Sequence, residues 1–274
     1  MENLVYTIVL LPLLGFLISG IFGKKLPKNL VGGIATLVVF VSFCLAVSIF
    51  INYDTQSAPH IFTAFKWFSV NGMQVDFAFQ LDQLSLMMVL IITGIGSLIH
   101  LYSIGYMHDD AGFSRFFAYL NLFVFSMLLL VLGSNYLILF IGWEGVALCS
   151  YLLIGYWFEN EDYGKASRKA FIMNRIGDLG LLVGIFLLAI ETNAVDYITV
   201  ANNASKFAID SPIIIFITAS LFIGAVGKSA QVPLYTWLPD AMAGPTPVSA
   251  LIHAATMVTA GIYLVVRSNF LYTL

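Results

Sequence analysis

The run Leu137-Ile138-Leu139-Phe140-Ile141-Gly142-Trp143-Glu144-Gly145-Val146-Ala147-Leu148 places one carboxylate inside an otherwise uncharged apolar segment. The segment extends from about 134 to 157, and a helix needs about 20 apolar residues to cross the hydrocarbon core. Glu144 therefore falls roughly ten residues from either end, near the midplane of a span. A charge there costs about 2.5–3.5 kcal/mol on insertion scales, so it needs a partner or a task.

Working outward from this span, comparable runs occur at about 4–23, 30–51, 82–105, 112–132, 168–190, 212–240 and 247–267. The fold class expected is an all-α polytopic membrane protein of about eight transmembrane helices. Composition agrees: 60% of the 274 residues are hydrophobic and 10% charged. Soluble domains carry about 25% charged residues, so most of this chain has no water to face. No basic stretch interleaved with aromatics suggests nucleic-acid binding, and the net charge of -3 is too small to imply a partner. Cys44 and Cys149 lie in separate apolar runs with no metal-ligand spacing, and read as small buried residues. The first run lacks a basic leader and a small-residue cleavage site, so it reads as a retained span.

The seventh run is broken at Val232-Pro233 and followed by Pro239, Pro245 and Pro247, which predicts a discontinuous helix of two halves. Broken helices at membrane depth survive where they face protein or a wet cavity, so the break points to function, although a packing kink would look the same. Residues 52–80 form the longest connection, and their alternating pattern around Asn71-Gly72 predicts a small external β-hairpin. Counting loops alternately, Lys24, Lys25, Lys28, Arg115, Lys165, Arg168 and Lys169 fall on one side, against Lys66, Lys206 and Arg267 on the other. The positive-inside bias puts the first set in the cytoplasm and the N-terminus outside.

Ionisable residues recur in the later spans. Lys228 ends the run Leu221-Phe222-Ile223-Gly224-Ala225-Val226-Gly227-Lys228 just before the proline break. Burial disfavours a charged amine and a nearby carboxylate favours it, so moving the counter-ion can load or empty such a lysine. Gly227-Lys228-Ser229 is not a phosphate loop, because Phe222 stands where its first glycine belongs. His253 lies in the eighth run and titrates near neutrality, which suits a relay, though a lone helical histidine is often structural. Arg175 and Asp178, three residues apart on the sixth run, share a face and can pair. His100 has no second axial ligand for haem. Metal, nucleotide and flavin sites are not visible.

These residues resemble a known family. Ser134 through Trp157, Gly227-Lys228-Ser229-Ala230-Gln231-Val232-Pro233-Leu234-Tyr235-Thr236-Trp237-Leu238-Pro239-Asp240-Ala241-Met242, and Gly244-Pro245-Thr246-Pro247-Val248-Ser249-Ala250-Leu251-Ile252-His253-Ala254-Ala255-Thr256-Met257-Val258 look like the antiporter-like subunits of the proton-pumping NADH–quinone oxidoreductase, in particular its subunit L (chain 5) type. The resemblance implies that Glu144 and Lys228 form a carboxylate–lysine pair, that His253 connects onward, and that Asp178 and Arg175 are the polar pair of the sixth helix. It implies proton translocation coupled to quinone reduction in other subunits, with NADH, FMN, iron–sulfur clusters and quinone bound there and no cofactor or metal in this chain. The expected partners are the neighbouring membrane subunits, especially the adjacent antiporter-like one, and the lipid of an inner (plasma) membrane; a mitochondrial or plastid membrane is an alternative.

Residues 1–110 are expected to hold helices 1–3 and the hairpin, 111–267 the first half-channel repeat, and 268–274 the start of a second repeat whose remainder, with its central lysine and a lateral helix, lies beyond Leu274. The related large subunit of a multi-subunit sodium/proton antiporter is the nearest alternative, and a non-transporting membrane scaffold is one of another class.

Overall fold

The computed structural model describes every residue of 1–274 except 55, 57 and 71, with the side chain of 255 also left aside. Helix α1 (Glu2–Leu17) runs into a π turn (Ile18–Phe22), and α2 (Lys28–Ile51) returns. Strands β1 (His60–Val70) and β2 (Met73–Leu81) pair antiparallel with Val70 opposite Met73, as the alternation predicts. Gly72 takes φ +84, a conformation open to glycine without a Cβ penalty. Asn71, the other residue of the expected turn, lies outside the described residues.

Five more helices are long: α3 (Gln83–Tyr106), α4 (Phe113–Leu132), α5 (Tyr136–Ile154), α6 (Glu161–Thr192) and the last span, Thr246–Arg267. Among the described residues seven helices are long and apolar enough to cross a membrane, and the shorter α8 (Pro212–Lys228) is an apolar eighth. The membrane reading of the sequence therefore holds.

Boundaries differ from expectation in three places. Helix α6 has 32 residues and starts before the expected run, because Asn160 caps it by accepting from the Asp162 N–H and Glu161 and Asp162 favour its first turn. The seventh run is broken around Pro233, as expected, but its second half is short: α8 ends at Lys228, and after turns through the proline region only α9 (Trp237–Asp240) and a 3-10 turn follow. The eighth run is itself interrupted: α10 (Thr246–Ala250), a π turn (Leu251–Ala255) and α11 (Met257–Arg267) follow one another, with the break at Thr256. Two short pieces, α7 (Tyr197–Ala204) and α12 (Asn269–Tyr272), lack the length to register as hydrophobic runs. Cys149 is buried but Cys44 is exposed. An apolar run shows that a residue avoids water, not whether it faces the core or lipid.

Helix α4 is the hub, its aromatic and aliphatic residues from Phe113 to Leu132 mostly buried. Glycines let its neighbours close in: a Cβ on Gly142 of α5 would overlap the backbone of Leu130. Helices α6 and α8 approach through Gly177, Gly180, Gly184, Gly224 and Gly227, and a Cβ on Gly177 would stand 3.0 Å from the Gly227 Cα. Small residues at the seam permit this backbone approach in a membrane helix pair.

The loops sort into two ends. At one, the hairpin bridges Gly133 through Phe79, Asn135 bridges Asp196, and Arg267 holds Asp82, the capping residue of α3. At the other, Lys28 Nζ donates to the carbonyls of His108 (2.8 Å) and Asp110 (3.0 Å). There Asp110 also accepts from Tyr156 OH (2.8 Å), Trp157 Nε1 (3.0 Å) and the Gly112 N–H (2.7 Å). Burial opposes its charge, but these donors and the Arg115 cation outweigh it and hold Asp110 below the usual carboxylate range. A depressed carboxylate adds stability that is present at neutral pH and lost as pH falls below about 4 toward its folded value. Proteolysis of the 107–112 and 155–160 loops is thus expected to accelerate at low pH with an acid-active protease, and Asp110→Asn to be cut there faster than the parent protein at pH 7 by a neutral protease.

Candidate functional site

The α6–α8 glycine seam decides which charges meet, since Gly177 precedes Asp178 and Gly227 precedes Lys228. The contact of the two glycines carries the two charges together: Lys228 Nζ lies 3.5 Å from Asp178 Oδ1, with both side chains buried. Trp143 Nε1 donates to the same oxygen at 2.6 Å, and the ammonium sits 5.4 Å from the Trp143 ring centroid. A cation over an indole face is attracted by the ring quadrupole.

Glu144, one residue on from Trp143, is turned about 100° around α5. It forms an ion pair with Arg175, and Arg175 lies 4.0 Å from Asp178 Oδ2. Arg175 also covers Phe171, with Cζ 4.6 Å from the ring centroid. The side chains grade inward from Arg175, 42% exposed, through Glu144 at 21% and Asp178 at 4%, to Lys228 at 0%.

The expected partnership is thus rearranged. The direct counter-ion of Lys228 is Asp178, and that of Glu144 is Arg175. Trp143 occupies the direction toward the lysine that had been assigned to Glu144. Glu144 still lies within electrostatic range of Lys228. Two carboxylates and two cations form a neutral chain in which Arg175 reaches both acids and Asp178 reaches both bases. Displacing one member alters the field at the others, which suits proton exchange in low dielectric.

His253 sits in the π turn, half-buried, and neither ring nitrogen has a hydrogen-bond partner among the described residues. Its ring faces Trp237 at 6.1 Å between centroids, and Trp237 Nε1 donates to the Gly227 carbonyl at 3.1 Å. The histidine is therefore joined to the lysine-bearing turn through an indole and makes no direct ion pair with the four charges. Trp143 and Trp237 went unrecognised as site residues because a tryptophan in an apolar run carries no mark of its N–H partner. Asn174, on α6, donates to the Ala170 carbonyl at 2.8 Å. His100 is buried on α3, its Nδ1 2.7 Å from the Gly96 carbonyl. No group of three potential metal-ligating residues occurs among the described residues.

Comparison with known proteins agrees with this architecture. The model of the NADH:quinone oxidoreductase/Mrp antiporter transmembrane family matches residues 133–274, and that of the complex I chain 5 N-terminus matches 67–117. NADH-quinone oxidoreductase subunit L of Campylobacter jejuni is 50% identical over 100% of this chain and 44% of its own length. The subunit L of Mycobacterium tuberculosis is 48% identical over 98% of this chain and 42% of its own. The chain thus spans about two fifths of the length of these relatives. Among solved structures, the Mrp complex from Dietzia sp. superposes with a TM-score of 0.82 at 28% identity, covering 95% of this chain and 27% of that one. With glycine seams, an interrupted eighth span and a buried charge chain all inside the matched region, the chain belongs to the NADH:quinone oxidoreductase/Mrp antiporter transmembrane family.

Proposed function

We propose that this chain forms a proton half-channel of a subunit L-type antiporter-like protein, working in an NADH–quinone oxidoreductase whose redox groups lie in other subunits. The observation that carries the reading is Lys228: a fully buried amine at the end of an interrupted helix, 3.5 Å from a buried carboxylate and joined through it to two more charges. An intramembrane charge this costly is a functional site by default. Its relatives' names supply the coupling partner.

In this mechanism Arg175 moves between Glu144 and Asp178. When it leans on Asp178, that carboxylate is shared by two cations and its hold on Lys228 weakens, so the lysine passes a proton toward His253. When Arg175 returns to Glu144, Asp178 is free to hold a reloaded lysine. The work per charge is about 2.3 kcal/mol per 100 mV of membrane potential, within the range of one buried ion-pair rearrangement. The lysine-rich loops face the cytoplasm in this reading, the N-terminus lies outside, and the contacting partner is the adjacent antiporter-like subunit.

The likeness to the Mrp complex favours a second reading, a sodium/proton antiporter subunit. One experiment separates the two. The full-length gene is placed in a host lacking subunit L, and NADH-driven proton pumping is measured in its membrane vesicles. Restored pumping is expected. Failure to restore it, with rescue of an antiporter-deficient strain in sodium, would assign the chain to the second reading.

A further inference from the structure

A cavity of about 240 Å³ opens at the lysine-rich end between α4, α5 and α6, bordered by Arg115, Tyr119, Tyr151, Gly155, Gly164 and Ser167. The charge chain does not reach it, yet one helix seam runs from it to Glu144. Glu144 and Tyr151 are seven residues apart on α5, with Gly155 four further on at its C-cap, and Ser167, Phe171 and Arg175 recur at spacings of four on α6, so each set lies along one side.

The two faces meet in three rungs. A Cβ on Gly155 would stand 2.8 Å from Ser167 Oγ. The Tyr151 and Phe171 rings lie 5.4 Å apart between centroids, inclined at 58°. Glu144 pairs with Arg175, whose guanidinium also covers Phe171. The aromatic rung is thus what separates the cavity from the ion pair, and the cation that would have to move is the one stacked on its Phe171.

We propose that this seam is the route by which protons from the lysine-rich side reach Glu144, with the Tyr151 hydroxyl as a relay and its ring contact with Phe171 as the shutter. This rests on the reading of Glu144 as a proton carrier. Tyr151 lies about 10 Å along the helix axis from Glu144, so the transfer runs through bridging water admitted when Arg175 swings away and Phe171 tilts. In the transfer the phenol O–H bond breaks as an O–H bond forms on that water, which delivers its own proton to the carboxylate. Hydronium in the cavity then reprotonates the phenolate, so one proton moves and nothing is oxidised or reduced.

The test uses the full-length subunit in its assembled complex, reconstituted into liposomes. Tyr151→Phe keeps the ring and removes the hydroxyl, and is expected to slow coupled turnover about a hundredfold, the low side of what one positioned proton-transfer group contributes. Ser167→Cys, in an assembled complex, should react with a charged, membrane-impermeant methanethiosulfonate only from the lysine-rich side, and the adduct should block proton uptake. Wild-type pumping both in Tyr151→Phe and in the modified Ser167→Cys complex overturns the route. If Tyr151→Phe does not assemble, the sidedness and effect of the cysteine adduct decide alone. Lys228→Met separates the two levels: pumping lost there but untouched at the seam sinks only the route, whereas pumping intact in Lys228→Met sinks the half-channel reading itself.

Discussion

Asp178→Asn is expected to damage the protein more than Glu144→Gln, reversing the ranking that a glutamate–lysine pair would give. Asparagine keeps the shape, and its carbonyl can still accept from Trp143 Nε1. It removes the negative charge 3.5 Å from Lys228, however, in a place where neither group meets solvent. Unit charges at about 4 Å attract by about 4 kcal/mol at the effective dielectric typical of proteins. Stripping one partner from a buried pair costs about 3–5 kcal/mol because the survivor is left uncompensated. Glu144 and Arg175 are partly exposed, and Arg175 has Asp178 4.0 Å away as an alternative partner, so their separation is partly screened. Measured as subunit abundance in purified membranes and as the thermal midpoint of the assembled complex, Asp178→Asn should lower both, with Glu144→Gln close to the parent protein. Equal losses, or a greater loss for Glu144→Gln, would mean that Glu144 is the lysine's counter-ion after all.

Much of this was legible in the sequence. Apolar runs fixed the spans, since only a closed hydrogen-bonded helix tolerates lipid on all sides. The hairpin showed through its period-two alternation, and the charges stood out because each is so costly at depth. Pair identity was not legible. Glu144, Asp178 and Lys228 lie on three helices whose mutual rotation is set by the glycine contacts of α6 with α8 and of α5 with α4. A turn of about 100° between neighbouring residues decides whether Trp143 or Glu144 faces the lysine. The same ignorance of rotation put Cys44 inside when it faces out. The π turn that carries His253 was hidden because its residues are no less helical in composition than their neighbours.

Lys228 poses a different question, whether the site needs a positive charge or a proton that can leave. Lys228→Met and Lys228→Arg answer it together. Methionine matches the length of the lysine stem without charge, and Asp178 then keeps the Trp143 N–H and has Arg175 within 4.0 Å as a substitute cation. Assembly should therefore survive far better than in Asp178→Asn, where the orphan is a fully buried ammonium. Arginine keeps the charge but does not give up its proton in a protein. If Lys228 works by loading and emptying, both variants should lower pumping-coupled turnover by at least about tenfold while the subunit stays in the complex. If it serves only as a fixed charge that holds Asp178 in place, Lys228→Arg should pump normally and Lys228→Met should fail. Because Met tests charge and Arg tests release, the proton-to-electron ratio of the two in liposomes separates a proton carrier from an electrostatic strut, and it does so without reference to which partner the lysine faces.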